Sequence, residues 1–275
     1  FRNRKGVFGM FKRRRVIIIL GIVFAVALSF CAFLRRQYVV PIIMYHSVEK
    51  TPQPENRIRV SAATFERQMR FLRQRHYNVI SLEALGNLIR EKRKIPPRTI
   101  AITFDDGYRD NFIYAFPILK KYNFPATIFI IVNEVGRQQE DRLSWEEIKI
   151  MQDSGLITIG SHCLGPEPLI NIKSEKDLRK EIFDSKKILE EKLGRKVDIF
   201  SYPGGMFNQH IRQLVIDAGY KIAVGTNPGK DYPDDDIFVL KRLRISENAE
   251  NLFVFAVETS GYYTFMKENK RKHAR

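Results

Sequence analysis

Short apolar runs alternate with amphipathic stretches along most of this chain, and the alternation predicts its elements. Pro41 to His46, Thr99 to Phe104, Thr127 to Val132, Ile157 to Ser161, Asp198 to Ser201, Lys221 to Val224 and Val239 to Leu243 are apolar or β-branched runs. Their composition and bounding polar residues read as about seven buried strands. Between them the period changes. Ser61 caps a helix in which Phe65, Met69 and Leu72 recur at helical spacing, and a second helix follows Ser81 with Leu82, Leu85 and Ile89 on one side. Pro96-Pro97 stops it. Asn111 to Lys121 reads as helical despite Pro117, and Ser144-Trp145-Glu146-Glu147 has the spacing of a capping box, with Gly155 as its stop. The clearest helix runs from Glu175 to Leu193, between Ser174 and Gly194, and another lies near Gln209 to Ala218. Thr51 to Arg59 reads as a loop, and the aromatic-rich Leu252 to Phe265 as a final helix covering the barrel or a surface-docking segment, the former preferred.

Strand–helix alternation favours a parallel α/β architecture, barrel or doubly wound, in which functional side chains gather where strands end. By this reading Asp105, Asp106, His162 and His46 each follow a strand directly. Four polar residues far apart in sequence are therefore expected to share one mouth. Taken singly, Asp105-Asp106-Gly107 is a solvated turn. Two neighbouring carboxylates repel when both are charged, and a metal ligand beside a general base is one economical arrangement that relieves this.

The first residues carry a different pattern. Val16 to Leu34 is uncharged and about long enough to cross a bilayer core as a helix. Residues 1–15 hold seven basic side chains and no acid, which places the short amino end in the cytoplasm and the remainder outside. Cleavage after Ala25-Val26-Ala27 is the competing expectation, but the apolar run continues well past that site. The chain opens on Phe1, so residues ahead of it are expected. The expected division is a basic segment 1–15, a transmembrane signal-anchor 16–34, one catalytic-type domain 35–265 and a basic tail 266–275. The formal charge of +16 is concentrated at the two ends, without the aromatic-interleaved or helix-turn-helix pattern of nucleic-acid binding, so no nucleic-acid partner is expected. Cys31 and Cys163 are too differently placed to form an internal disulfide.

Thr103-Phe104-Asp105-Asp106-Gly107 resembles the T-F-D-D-G motif of the polysaccharide deacetylases, carbohydrate esterase family 4 with its NodB-homology domain. The resemblance covers roughly residues 39–245. It extends to Ile42-Ile43-Met44-Tyr45-His46, Gly160-Ser161-His162, Ser201-Tyr202-Pro203-Gly204-Gly205 and Leu240-Lys241-Arg242. The opening tyrosine-histidine resembles the branch that deacetylates exported poly-N-acetylglucosamine, where the strand carrying the late histidine stands at the start of the domain. The resemblance implies a distorted (β/α)7-type barrel, here preceded by one transmembrane helix, that removes N-acetyl groups from an N-acetylglucosamine-containing glycan with a divalent metal, commonly zinc. Asp105 would be the general base, steadied by Arg242, and His46 the acid. Asp106 and His162 would bind the metal. Tyr202, Pro203 and Gly204 would border the acetyl pocket, with the Gly204 amide as an oxyanion donor. Trp145, Thr226 and Asn227 are weaker candidates for the cleft.

One position departs from the pattern. The family's second metal-binding histidine falls at Pro166, which has no ligand atom. A catalytic zinc ordinarily has three protein ligands and a water. Glu167 is adjacent and is expected to complete an Asp-His-Glu set. Cys163 is the other option, but on an extended chain it points away from His162. Two readings stay open: an active amidohydrolase on the outer side of the cytoplasmic membrane, or a catalytically degenerate domain that binds glycan or a partner protein.

Overall fold

In the computed structural model, residues 4–36, 38–51, 58–137, 141–226, 236–245 and 247–263 are described, with the backbone alone for 4–16, 34–36 and 247–248. Asn227, the tail 266–275 and most of the loop 51–59 lie outside the described residues. The chain divides into two units, residues 1–39 and 40–275. The first holds α1 (Arg4–Arg36), in which Ile17 to Phe33 present exposed apolar side chains such as Phe24 and Ile17. Among the described residues no helix is long and apolar enough to cross a membrane.

The second unit is built on a nearly closed barrel of parallel strands. In chain order these are β1 (Ile42–Tyr45), β4 (Asn78–Val79), β5 (Thr99–Phe104), β6 (Ala126–Ile130), β7 (Ile157–Ser161), β8 (Ile199–Ser201), β9 (Ile222–Gly225), β10 (Leu240–Lys241) and β11 (Leu243–Arg244). The order around the barrel is β10-β9-β8-β7-β6-β5-β1-β11, with β4 outside this path on β5. Strands β10 and β11 belong to one segment interrupted at Arg242, which pairs with β9 on one side and β1 on the other. The seven-strand expectation holds only if that segment counts once and β4 is left aside; among the described residues the sheet has nine hydrogen-bonded strands. Two further strands, β2 (Ser47–Glu49) and β3 (Arg59–Ser61), form a small parallel pair beside the mouth. Neither β2, β3 nor β4 has a hydrophobic run long enough to show in the sequence.

The helices start where the caps predict. Ser61 caps α2 (Ala62–Gln74), Ser81 caps α3 (Leu82–Arg90), Ser144 and Glu147 form a capping box on α5 (Trp145–Asp153), and Ser174 caps α6 (Glu175–Leu193). Each such cap contributes about 1 kcal/mol. Pro117 is accommodated at the start of α4 (Phe116–Tyr122), directly after a π-helical turn at Asn111–Ala115. Helix α7 (Gln209–Asp217) matches expectation, while α8 (Leu252–Glu258) is short. Its Phe255 packs edge-on against Phe71 of α2, so it flanks the barrel and does not cover an end.

Inside the barrel the layers differ in chemistry. Ile42, Ala101, Phe129, Ile199, Ile222 and Leu240 form one apolar cluster with Leu82 and Leu85 of α3, which closes the end where strands begin. A Cβ on Gly160 would sit 2.6 Å from the Phe129 ring, so the glycine makes room for that ring in the interior. Towards the strand ends the interior turns polar, with Thr103, Asp105, Ser201 and Arg242 all buried. Every buried residue of the two apolar cores falls between 42 and 255, so the barrel unit carries its own core.

Candidate active site

Strand β5 ends by delivering Asp105 into the polar layer. Arg242, whose side chain is fully buried, grips it with both arms: Nη1 donates to Oδ1 at 2.6 Å and Nη2 to Oδ2 at 2.7 Å. The same guanidinium donates to Ser201 Oγ (2.9 Å), Thr103 Oγ1 (3.3 Å) and the Gly225 carbonyl (3.3 Å), and lies 5.3 Å from the Phe129 ring. A buried charge needs this degree of satisfaction. The Arg242 interruption between β10 and β11 places the side chain here. Burial alone would raise the Asp105 carboxyl, but the Arg242 charge and hydrogen bonds, with the neighbouring His162 and His46 imidazoles, outweigh it and bring it to about 2.

Asp106 follows with φ +69, a left-handed conformation that is strained for a non-glycine residue. Arg142 braces it: Nη1 donates to the Asp106 carbonyl at 3.2 Å while Nη2 pairs with Glu134 at 2.7 Å. The Arg142 guanidinium also lies 4.1 Å over the Tyr108 ring.

His162 follows β7. Its Nδ1 donates to the Ser201 carbonyl at 2.9 Å, which leaves the Nε2 lone pair directed at the carboxylates. Nε2 stands 3.5 Å from Asp106 Oδ1 and 3.9 Å from Asp105 Oδ2. His46, directly after β1, belongs to the same charge cluster: burial lowers its pKa, Asp105 and Asp106 raise it, and Arg242 and His162 lower it, for a net fall. Its buried Nδ1 has no hydrogen-bond partner among the described residues. Tyr45, the neighbouring candidate at this strand end, turns into the core and donates to Gln68. The His46 backbone is held by Asn111, whose Nδ2 donates to its carbonyl at 3.0 Å. Asp110 accepts from Ser47 Oγ (2.5 Å) and the Val48 amide (3.1 Å); burial raises its carboxyl to about 6.

Asp106 and His162 fit a divalent ion as two of its ligands, since an imidazole nitrogen and a carboxylate oxygen 3.5 Å apart can bind one centre. A third ligand is not assembled. Among the described residues no group of three or more His, Cys, Asp or Glu side chains is placed to hold a metal ion. Glu167, expected to replace the missing histidine, is exposed and accepts from Asn171 Nδ2 at 2.5 Å. The reason lies in the chain after His162. Cys163 turns with φ +69 into the core, its thiol buried and its pKa raised by burial and by Glu181. The amides of Leu164 and Gly165 both donate to Glu181 Oε2 at 2.9 Å, which fixes the loop against α6.

The Tyr202–Gly204 loop is also reshaped relative to expectation. The Tyr202 side chain is buried, stacks on Phe207 at 4.6 Å and donates to the Phe238 carbonyl, and its amide donates to the Val224 carbonyl. It supports the loop from beneath. Pro203 is buried; Gly204, with φ +63, is exposed beside Met206 and Pro168. A Cβ on Gly205 would strike Thr226 at 2.6 Å, so this turn packs directly on the end of β9. Trp145 lies at the start of α5 with Lys192 over its ring at 5.8 Å. Sequence reasoning missed Ser201 as the bridge between Arg242 and His162, although it too ends a strand. It also missed Arg142, Glu134 and Glu181, which carry no local signal.

Fold and mouth together define an α/β-barrel of hydrolase type. The chain belongs to the polysaccharide deacetylase family, hydrolases of carbon–nitrogen bonds: residues 92–223 match the polysaccharide deacetylase domain. It is 33% identical over 207 residues to Bacillus subtilis YxkH, assigned by name to the polysaccharide deacetylases, spanning 75% of this chain and 71% of that one. It is 29% identical over 203 residues to the poly-β-1,6-N-acetyl-D-glucosamine N-deacetylase of Staphylococcus aureus N315, spanning 69% of each. Among solved structures, the Streptococcus pyogenes deacetylase PplD, in complex with acetate, superposes with a TM-score of 0.70 at 27% identity, covering 78% of this chain and 97% of PplD.

Proposed function

We propose that this chain is a metal-dependent N-deacetylase that removes acetyl groups from an N-acetylglucosamine-containing glycan outside the cytoplasmic membrane. The observation that carries the reading is the buried Asp105–Arg242 pair beside the Asp106–His162 pair. Asp106 and His162 would hold the ion, with zinc the preferred identity. Such an ion, when bound, supplies Lewis acidity toward the acetyl carbonyl.

The remaining chemistry belongs to the side chains. Asp105 is ionised at neutral pH, and Arg242 takes one lone-pair position on each of its oxygens, leaving the others to accept a proton from water. Because its pKa is held low, Asp105 keeps that proton only briefly. His46, neutral at rest and with an unpartnered Nδ1, takes up the proton that Asp105 releases and, as imidazolium, passes it to the departing amine, which returns the ring to its neutral form. The exposed Gly204 amide would donate to the acetyl oxygen. The apolar stretch 16–34 anchors the chain in the cytoplasmic membrane, with the barrel outside; its exposed Ile, Val, Leu and Phe side chains support an apolar surrounding.

The test is acetate release from N-acetylglucosamine oligomers by purified protein with added zinc or cobalt. Release that is lost in Asp105→Asn supports the reading; no release with any metal contradicts it. Pro166 and the two-ligand pair favour the second reading, a catalytically degenerate domain that binds glycan or a partner protein. Glycan binding without acetate release is its expected outcome.

A further inference from the structure

The end of the barrel opposite the mouth carries a concentration of cations that the reaction does not use. Helix α2 ends and β4 begins through residues 75–77, and α3 leads to β5 through residues 91–98. All strands run parallel, so both connections lie at the rim where strands start. Arg73, Arg75, Lys92, Arg93, Lys94 and Arg98 are all exposed there. The two connections meet at Arg98: its Nη1 donates to the Arg75 carbonyl at 2.8 Å, and its carbonyl accepts from the Asn78 amide at 2.9 Å.

Within these two connections Glu91 is the one acid, and the rim's other acids lie at the remaining strand starts, Asp153 before β7 and Asp198 before β8 among them. Glu91 lies 3.4 Å from Arg93, and Asp198 is paired with Lys221 at 2.6 Å. Glu83 has its carboxyl pKa raised by burial and by Asp198. Three of the turn positions adopt a left-handed backbone, His76 at φ 55, Lys92 at φ 51 and Arg98 at φ 56. Glycine adopts this conformation without strain, yet basic side chains occupy all three. The chain enters the barrel at the same rim: Pro41 precedes β1, and its carbonyl accepts from the Ala101 amide at 3.1 Å.

We infer that this rim docks on an anionic phospholipid surface and so holds the mouth of the barrel facing away from the bilayer. The occupant follows from charge complementarity and from the chain entering this same rim downstream of the apolar stretch 16–34. In its orientation, though not in its charge, the inference rests on the anchor proposed above. Clustered cations near an anionic leaflet bind additively and lose their attraction over about one Debye length. An orientation of this kind turns the active site toward wall or capsular glycan and leaves bilayer lipids out of reach.

Residues 38–275 hold both apolar cores, so that segment isolates the rim from the anchor. It is floated with phosphatidylcholine vesicles containing about one-third phosphatidylglycerol, and with phosphatidylcholine alone. Binding only to the anionic vesicles is expected, weakening roughly tenfold or more between about 50 and 300 mM salt. The combined variant Arg73→Gln, Arg75→Gln, Lys92→Gln, Arg93→Gln, Lys94→Gln and Arg98→Gln should lose that binding. A second readout needs no variant: acylation of Lys92 and Lys94 should slow on anionic vesicles while Lys187, exposed on α6, labels unchanged. Equal binding to neutral vesicles, no protection of Lys92 and Lys94, or displacement by a soluble polyanion that protects them better would overturn the inference. The full chain on neutral vesicles reports separately on the anchor, which fails if that chain does not float.

Discussion

Two corners of the barrel make the same backbone move with different results. After β5 the chain turns at Asp106, and after β7 it turns at Cys163, each with φ +69. At the first corner the strained residue itself presents its carboxylate to His162, 3.5 Å away, and Arg142 holds its carbonyl in place. At the second the strained residue buries an inert thiol, and Glu181 draws the following amides toward α6. The first corner therefore brings two carboxylates to the mouth, and the second brings His162 alone. A left-handed turn at a strand end is not itself a site. What the next residues are tied to decides how many polar side chains reach the mouth.

Removing the partner of Asp105 should break the first corner hardest. Arg242→Met strands a buried carboxylate, and breaking such a pair costs on the order of 3–5 kcal/mol, read as a lowered urea midpoint. The next effect is on pH dependence. The Asp110 carboxyl binds its proton up to about 6 in the folded chain and releases it near 3.8 when unfolded. Between these values the native state holds more protons, so its contribution is complete below 3.8 and is lost as pH rises through about 6. Asp110→Asn should flatten that decline, by on the order of 2 kcal/mol across the window in pH-resolved denaturation. Arg142→Met and Glu181→Gln test the corners against each other. The first should weaken metal binding about tenfold by loosening Asp106, whereas the second should cost about 1–2 kcal/mol of stability with little change in metal affinity. Equal losses of metal in both would erase the distinction. Smallest of all, Arg109→Ala breaks only an exposed 2.8 Å pair with Glu147 and should shift stability by less than about 0.5 kcal/mol.

Much of this was legible in the sequence because strong local signals agreed with the tertiary outcome. Serine caps fixed four helix starts, and buried β-branched runs fixed the inner strands. The rule that strand ends meet at one mouth brought Asp105, Asp106, His162 and His46 together without any pairwise signal. Arg242 was visible only through resemblance, since nothing local distinguishes it from solvated charge; its burial depends on Thr103, Ser201 and Gly225 from other strands. Glu167 failed for the complementary reason. Adjacency to Pro166 suggested reach, but the loop's path is set by Glu181, seventeen residues from Leu164, and a sequence pattern carries no trace of that contact.

The account turns on a metal held by one residue from each corner, and titration of zinc into the metal-free chain tests this most directly. Wild type and Glu167→Ala should bind one ion with affinities within about twofold, while Asp106→Ala and His162→Ala should each lose it. Loss of zinc in Glu167→Ala, or its retention in His162→Ala, would contradict the assignment.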